Sequence, residues 1–347
     1  MKNEKSNNAG NWRSKMKDTT GYIADKLNIS KSTVNKAMRH SSGVDSDTRQ
    51  RILEECRGIH YQSDGECAIY AILPDVPHYF WKEVRNGILA GEQSDVAPVK
   101  YNIYTKTSDE ATVLEYLEEA ERMNARAILI ATYITPAIHR KLEKLTERCL
   151  VILLSEYYEL KNSLFVGGNA YEDGYIMGKK YLSRYADRKL VLLSVKNNIN
   201  VEKRLQGFCR AVEEECPQLM KAASCIQLER KIIREQKLLP SKLALLLTEA
   251  AKDGHPFCIY SPMGMLQLPL GLSKAKLTDR AVCLCHDCFT EYQSDVKKLQ
   301  EGFAVTCNQD IFGQGLAAVK AATDYLKSRE YPEQKVIYVP SYICEEE

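Results

Sequence analysis

The sequence predicts an α/β protein in which a small module of three helices precedes a large body of doubly wound parallel sheets. Short, continuous apolar runs alternate with helix-patterned segments through the body, as expected of parallel strands that are buried on both faces. The 347 residues are 44% hydrophobic and 27% charged. This composition provides enough apolar material for two or three domains.

Charge is unevenly distributed along the chain. A formal net charge of +2 excludes a uniformly basic nucleic-acid coat and an acidic disordered tail. Residues 1–61 nevertheless hold twelve Lys or Arg against seven Asp or Glu. A cationic module ahead of a slightly acidic body predicts an anionic polymer as the partner of the module and a different ligand for the body.

Targeting and redox features predict a cytoplasmic protein. Residues 1–16 are polar, and no apolar run reaches the roughly eighteen residues that a membrane span needs, so no membrane partner is expected. The 12 cysteines are scattered, mostly as single residues inside apolar runs. They therefore predict reduced, buried thiols rather than a disulfide framework.

The N-terminal module has the pattern of three short helices. Thr19, Ser30 and Asp45 are each placed to cap a helix, and the second helix is expected over Lys31–Met38. Asn28 suits a left-handed turn between the first two helices. Such an arrangement predicts a helix-turn-helix, whose second helix enters the major groove of DNA.

Short matching segments run through this module. They are Ile23-Ala24, residues 28–36, Val44-Asp45, Thr48-Arg49 and residues 51–53. Through them the stretch 19–61 resembles the DNA-binding head of the lactose-repressor (LacI) family of bacterial transcription regulators. The resemblance implies a head at 16–61 that binds double-stranded operator DNA as a homodimer, behind a disordered tail or misplaced start at 1–15.

The resemblance also implies roles for individual side chains. The positions that read base edges in the major groove are occupied by Lys31, Ser32 and Lys36. The positions that contact phosphates are occupied by Thr19, Thr33 and Asn35. The alternative is that these side chains only form a solvated helix face.

The linker at residues 62–66 is short for this family. Family members use it to form a hinge helix that inserts an apolar side chain into the minor groove. Five residues span roughly 17 Å when extended and are too few for a stable helix. We therefore expect DNA affinity to come from major-groove and phosphate contacts, without kinking at the minor groove.

Strands are predicted in the body wherever an apolar run is continuous. These runs cover residues 68–73, 127–131, 149–154, 190–195, 257–260 and 281–285. Ligands of such sheets lie beyond the carboxyl ends of the strands.

Motifs in the body extend the family resemblance to residues 67–343. They are residues 73–75, Phe80-Trp81, 86–88, Val166-Gly167 with Asn169, 171–174, 204–208 and Gln309-Asp310 with Gly315. Their order and spacing resemble the two-lobed, periplasmic-binding-protein-like core that the family shares with sugar-binding proteins. The resemblance implies crossovers near Gly168, Cys288 and Ile311, with an N-lobe at 67–167 plus 288–311 and a C-lobe at 168–287 plus 312–347.

A ligand site is implied between the lobes. Its expected residues are Phe80, Trp81, Arg204, Tyr260, His286 and Gln309. The aromatic pair would stack on a ligand and Arg204 would clamp hydroxyls or a carboxylate, although core packing and a surface ion pair are the alternatives. Tyr260 and His286 replace better hydroxyl acceptors, so the ligand is expected to be either sugar-like or anionic.

No catalytic, cofactor or metal role is predicted. The chain lacks the GxSxG, GxxxxGK[ST], HExxH and GxGxxG patterns. A metal site is the alternative for Cys283, Cys285, His286 and Cys288, but strand alternation favours buried thiols. The sequence thus predicts a ligand-responsive repressor that binds DNA, with a cytosolic small-molecule-binding protein whose head is decoupled as the alternative and a sugar-modifying enzyme as a weaker one.

Overall fold

A computed structural model of the chain describes residues 23–38, 44–45, 48, 51–52, 68–75, 78–92, 99–104, 110–195, 198–229, 237–265, 267–287 and 303–345. The chain forms two compact units, Met1–Glu66 and Cys67–Glu347. None of the described helices is both long enough and apolar enough to span a bilayer.

The first unit contains a helix, a tight turn and a second helix. Residues 23–27 are helical (α1), and the next helix is α2 (Lys31–Met38). Between them Asn28 adopts a φ of 53°, in the left-handed region that Asn tolerates better than most residues. The Ser30 hydroxyl accepts a hydrogen bond from the backbone N–H of Thr33 at 3.0 Å and so caps α2.

A small apolar core holds this unit together. Its fully or almost fully buried members are Ile23, Ala24, Val34, Ala37 and Ile52. The predicted third helix is described only at Thr48 and residues 51–52, which are helical. Asp45 accepts a hydrogen bond from the Thr48 backbone N–H at 2.8 Å, as a helix cap does.

The second unit is an α/β body. Its described strands are β1 (Ile69–Pro74), β2 (Val99–Tyr104), β3 (Ala127–Ile130), β4 (Leu150–Leu154), β5 (Ser163–Gly167), β6 (Lys189–Val195), β7 (Ser224–Leu228), β8 (Phe257–Ser261), β9 (Ala281–His286), β10 (Val305–Gln309), β11 (Val336–Tyr338) and β12 (Ser341–Glu345). Its described helices are α3 (His78–Glu92), α4 (Glu110–Arg122), α5 (Pro136–Leu145), α6 (Ala170–Tyr185), α7 (Ile199–Glu215), α8 (Pro217–Ala222), α9 (Leu239–Ala250), α10 (Gln267–Ala275) and α11 (Ile311–Ser328).

Within the described residues the strands form two sheets of six. The first has the order β11-β5-β4-β3-β1-β2 and is parallel throughout. The second has the order β12-β10-β9-β8-β6-β7 and is parallel except for β12, which is antiparallel to β10. The α/β architecture with two doubly wound sheets is therefore confirmed.

Helices cover both faces of each sheet. In the first lobe, α3 and α11 bury one face and α4 and α5 bury the other. In the second lobe, α6 and α7 bury one face and α9 and α10 bury the other. Four of these helices begin with a side chain that caps the first turn, namely Thr135 for α5, Asn169 for α6, Asn198 for α7 and Asp310 for α11.

The described chain crosses between the lobes after β5, after β10 and after β11. The predicted lobe boundaries are therefore wrong in part. The strand β10 lies beside β9 in the second sheet, whereas α11 and β11 pack on the first. The physical reason is that α11 presents Ala318, Val319 and Ala322 as a buried face, which fits the apolar surface of the first sheet. The predicted crossover residue Cys288 lies outside the described residues.

Candidate functional site

A largely buried ion pair lies at the carboxyl end of β9, a central strand of the second sheet. The Arg204 guanidinium donates from Nη1 to Asp287 Oδ2 at 2.8 Å and to the backbone oxygen of Pro262 at 3.2 Å. Burial opposes a charge on Arg204, but the Asp287 carboxylate outweighs it and raises the pKa of the guanidinium above its ordinary value. Arg204, a predicted site residue, is therefore a cation whose burial is offset by its partner.

Two glycines fix the position of Arg204 by letting α6 and α7 approach closely. A Cβ atom added to Gly174 would lie 1.9 Å from the backbone oxygen of Arg204. A Cβ atom on Gly207 would lie 2.0 Å from the backbone oxygen of Tyr171. Any side chain at these positions would therefore push α7, and Arg204 with it, away from α6.

Asp287 connects Arg204 to the second crossover. It follows β9 with a φ of 54°, so its side chain leaves the alternation of the strand. Its carboxylate accepts hydrogen bonds from Gln309 Nε2 at 3.0 Å and from the Gln309 backbone N–H at 3.3 Å. Gln309 Oε1 in turn accepts from Gln314 Nε2 at 3.1 Å, in the first turn of α11.

Asp173 completes this polar cluster from the first turn of α6. Its side chain approaches Gly168 on the first crossover, since a Cβ atom there would lie 3.4 Å from Asp173 Oδ2. Burial raises the pKa of Asp173 to about 6, although Arg204 and Ser341 partly offset that effect. The cluster of Asp173, Arg204, Asp287 and Gln309 therefore lies where the crossovers of the chain converge.

Tyr260 and His286 lie behind Arg204 rather than beside a ligand space. Both are fully buried, and the Tyr260 hydroxyl lies 2.9 Å from His286 Nε2 and 3.3 Å from the backbone oxygen of Arg204. The Tyr260 ring stacks on Phe208 at 3.9 Å. Burial and the nearby Arg204 charge lower the pKa of His286 well below its ordinary range, so this imidazole is neutral. Their position suits support of the α7 backbone.

The predicted aromatic pair lies on the other lobe, at the start of α3. The rings of Phe80 and Trp81 meet edge to face at 4.9 Å, and the residues are 9% and 8% exposed. Both belong to the core under the first sheet. Most of their surface is therefore used for packing, which leaves only a narrow edge of each residue at the surface.

Sequence reasoning did not select Asp287, Asp173 or Gln314. Asp287 directly follows a buried strand, so the rule that ligands lie beyond the carboxyl ends of parallel strands is a signal that could have found it. Asp173 has no comparable signal, because acidic residues are common in the first turn of any helix.

The residues implied in DNA contact lie on α2 where they are described. Lys31, Ser32 and Lys36 are exposed. Thr33 is half-buried, and its hydroxyl lies 2.8 Å from that of Ser30. Thr19 and the side chain of Asn35 lie outside the described residues.

Two of the four residues in the alternative metal site are part of the core. Cys283 and Cys285 are fully buried among the side chains under α9 and α10, and burial raises the pKa of Cys283 well above its ordinary value. His286 lies on the opposite face of β9, against Tyr260. Cys288 lies outside the described residues. A shared site for Cys283, Cys285 and His286 would need strand residues on opposite faces to meet.

Two parallel-sheet lobes joined by several crossovers define the periplasmic-binding-protein-like class of fold. No protein-family model and no curated protein matches the chain. Solved structures do match, but their sequence identities are so low that these matches show only a shared fold. They include a glucose-galactose binding protein, GanP, from Geobacillus stearothermophilus (TM-score 0.63, 16% identity, 81% of this chain and 98% of that chain).

Two further structures show the range of proteins with this fold. One is a sugar-binding protein of a sugar ABC transporter from Bacillus halodurans (TM-score 0.65, 17% identity, 80% of this chain and 97% of that chain). The other is assigned as a LacI transcriptional regulator from Bacteroides fragilis (TM-score 0.61, 16% identity, 80% of this chain and 96% of that chain). The body of this protein therefore has the periplasmic-binding-protein-like fold.

Proposed function

We propose that this protein is a cytoplasmic, ligand-responsive transcription regulator that binds operator DNA as a homodimer and acts as a repressor. The observation that carries the proposal is the α1–turn–α2 unit of the first sixty-six residues. Its apolar side chains face a common core, while Lys31, Ser32 and Lys36 project from α2 into solvent. A rigid, cationic helix surface of this kind suits insertion into the major groove.

The proposed effector is a small sugar-like or anionic metabolite that binds between the lobes. Arg204 and Asp287 supply a donor and an acceptor side by side, a combination that suits ligand hydroxyls, and Arg204 alone suits a carboxylate. The similar sugar-binding structures support this choice. The proposed activity is binding without catalysis, in which closure of the lobes changes the affinity for DNA.

The proposal is tested by selecting bound duplexes from a random pool at two salt concentrations, with and without a mixture of sugars and organic acids. Enrichment of one sequence whose binding weakens with salt is expected. A change in enrichment with the mixture is expected for the parent and is expected to be lost in Arg204→Lys, which keeps the charge but loses the planar fork. Absence of any enriched sequence in either ligand condition would overturn the regulator proposal.

A second candidate is a cytosolic small-molecule-binding protein in which the head no longer responds to the body. The linker of five residues, 62–66, favours this candidate because it is too short for a helix of its own. The two candidates differ in one result. Metabolite binding with no effect on any duplex interaction supports the second candidate and contradicts the first.

A further inference from the structure

A cavity lies where the two lobes meet at the first crossover, with a volume of about 160 Å³. We call it the crossover cavity, and the lining residues that matter for its chemistry are Tyr157, Phe165, Asn169, Asn200, Lys203 and Tyr338. They come from both lobes and from the crossover itself. Arg204 and Asp287 are not among them, although Gly168 borders both the crossover cavity and the polar cluster around Arg204.

The lobes touch each other at the crossover cavity. Asn200 Nδ2, from the second lobe, donates to the backbone oxygen of Ser155 in the first lobe at 2.8 Å. Lys203 Nζ lies 5.5 Å from the centroid of the Tyr157 ring, again across the lobes. A molecule in this cavity would therefore contact both lobes at once and favour the arrangement in which they meet.

The electrostatics of the crossover cavity favour an anion. Lys203 is the charged member of the lining, and no Asp or Glu lines the cavity among the described residues. Asn169 caps the start of α6, and Asn200 lies in the first turn of α7, so two helix N-termini of positive polarity border the space. The acidic first-turn residues Glu172, Asp173 and Glu202 offset this polarity, so Lys203 is the group that attracts an anion.

Four aromatic residues, Tyr157, Phe165, Tyr171 and Tyr338, also line the cavity. The Phe165 ring meets Tyr157 edge to face with centroids 5.7 Å apart, and meets Tyr338 at 6.4 Å. Ring faces and edges of this kind pack well against a planar or ring-shaped group. The occupant that fits therefore has an apolar ring beside its negative charge.

Size and charge narrow the occupant further. The cavity volume of about 160 Å³ is below the roughly 300–1,000 Å³ of pockets that bind drug-sized ligands, so only a small occupant fits. One lysine matches the single charge of a carboxylate better than the nearly double charge of a phosphate. We propose that the crossover cavity binds a small ring-containing carboxylate, whose charge pairs with Lys203 and whose ring packs on Tyr157 and Phe165, and that this ligand holds the lobes together.

Benzoate is a suitable probe, and neutral benzamide, of nearly the same shape, is its control. Titration into the full chain is followed by calorimetry and by the shift in melting temperature. Benzoate is expected to bind and raise the melting temperature with concentration, and benzamide is expected to bind at least about tenfold more weakly because it lacks the charge-assisted contact. Equal binding of the two compounds, or no binding of benzoate, would overturn the proposal.

Four variants locate the site. Lys203→Met should weaken benzoate binding about ten- to a hundredfold, and Lys203→Arg should largely retain it. Lys242→Met removes an exposed lysine of α9 and should leave benzoate binding unchanged. Benzoate binding that is kept in Lys203→Met but lost in Arg204→Lys would overturn the proposal by assigning benzoate to the site around Arg204. This experiment measures benzoate binding to the protein directly. Its outcome therefore does not depend on whether the protein binds DNA.

Discussion

Arg204 and Asp287 form a largely buried ion pair that joins a helix to the carboxyl end of a central strand of the second sheet. The two side chains are 5% and 17% exposed, and their charged atoms lie 2.8 Å apart. Arg204 belongs to α7, whereas Asp287 directly follows β9. Each charge offsets the desolvation cost of burying the other, because a buried charge without a partner is strongly destabilising.

Removing one member of this pair should destabilise the protein more than removing both. Arg204→Met leaves the Asp287 carboxylate without its cation and should lower the free energy of unfolding by about 3–5 kcal/mol. The double variant Arg204→Met with Asp287→Leu should recover more than about 1 kcal/mol of that loss. Urea unfolding of the parent, both single variants and the double variant measures the coupling, and additive losses would contradict it.

Asp173 should make stability depend on pH. Its pKa is about 6 in the folded protein against an ordinary value of 3.8. Between these values the folded chain keeps a proton that the unfolded chain releases, so this residue lowers stability as pH rises from about 4 to 6. Asp173→Asn should remove that loss and gain up to about 3 kcal/mol relative to the parent at neutral pH, with little gain near pH 4.

The measurement is the difference in unfolding free energy between the parent and Asp173→Asn across pH 4 to 8. Asp324→Asn is the matched control, because it removes one negative charge from an exposed position on α11. The control shows how much of any pH effect comes from net charge alone. A difference that stays constant with pH for Asp173→Asn would show that this carboxyl does not titrate as described.

Continuous apolar runs predicted six of the eight interior strands, whereas the four edge strands and the interior strands β5 and β10 escaped this signal. The six predicted runs correspond to β1, β3, β4, β6, β8 and β9. By contrast, β2, β7, β11 and β12 are only partly buried at or near sheet edges, so their sequences mix polar and apolar residues. The strand β10 is buried but carries Asn308 and Gln309, which hide it in a search for apolar runs.

The kinds of side chain in the candidate site were easier to predict from the sequence than their exact positions. Arg204 and Gln309 were found from motifs and lie in the polar cluster. His286 was predicted to lie beside Arg204 in the site, whereas the side chain that pairs with Arg204 is that of Asp287. A shift of one residue at a strand end moves a side chain from one face of the sheet to the other. Only the left-handed φ of Asp287, which no sequence pattern showed, turns its carboxylate toward Arg204.

Close helix packing should make Gly174 intolerant of any side chain. A Cβ atom at this position would lie 1.9 Å from a backbone atom of α7, which cannot rotate away as a side chain could. Gly174→Ala should therefore cost about 3 kcal/mol or more in unfolding free energy. It should also weaken metabolite binding, since α7 carries Arg204.

Gly254→Ala is the control for this prediction. Gly254 has a φ of 81°, and an added Cβ would meet nothing within 4 Å. Its substitution should cost about 1–2 kcal/mol from backbone strain alone, without affecting the cluster around Arg204. Equal losses for the two variants would mean that the α6–α7 approach is not as close as described.

Exposed lysines on α2 should control DNA recognition if this helix enters the major groove. With the duplex obtained from the selection, Lys36→Ala should relax preference at one base position, and Lys31→Ala should weaken binding, each by about 1–3 kcal/mol. Both side chains are exposed, while Val34 and Ala37 form the buried side of the helix, so the fold of the head should be unaffected. Lys242→Ala removes a comparable exposed charge from the body and controls for nonspecific attraction.

Comparison of selectivity with salt dependence distinguishes a base contact from a phosphate contact. A lysine that contacts only phosphate lowers the affinity for all duplexes alike and reduces the salt slope by about one when removed. A lysine that reads a base changes the ranking of duplexes instead. If Lys36→Ala binds every single-base variant of the duplex with the ranking of the parent, α2 does not read that base through Lys36, and its charge acts on the phosphate backbone alone.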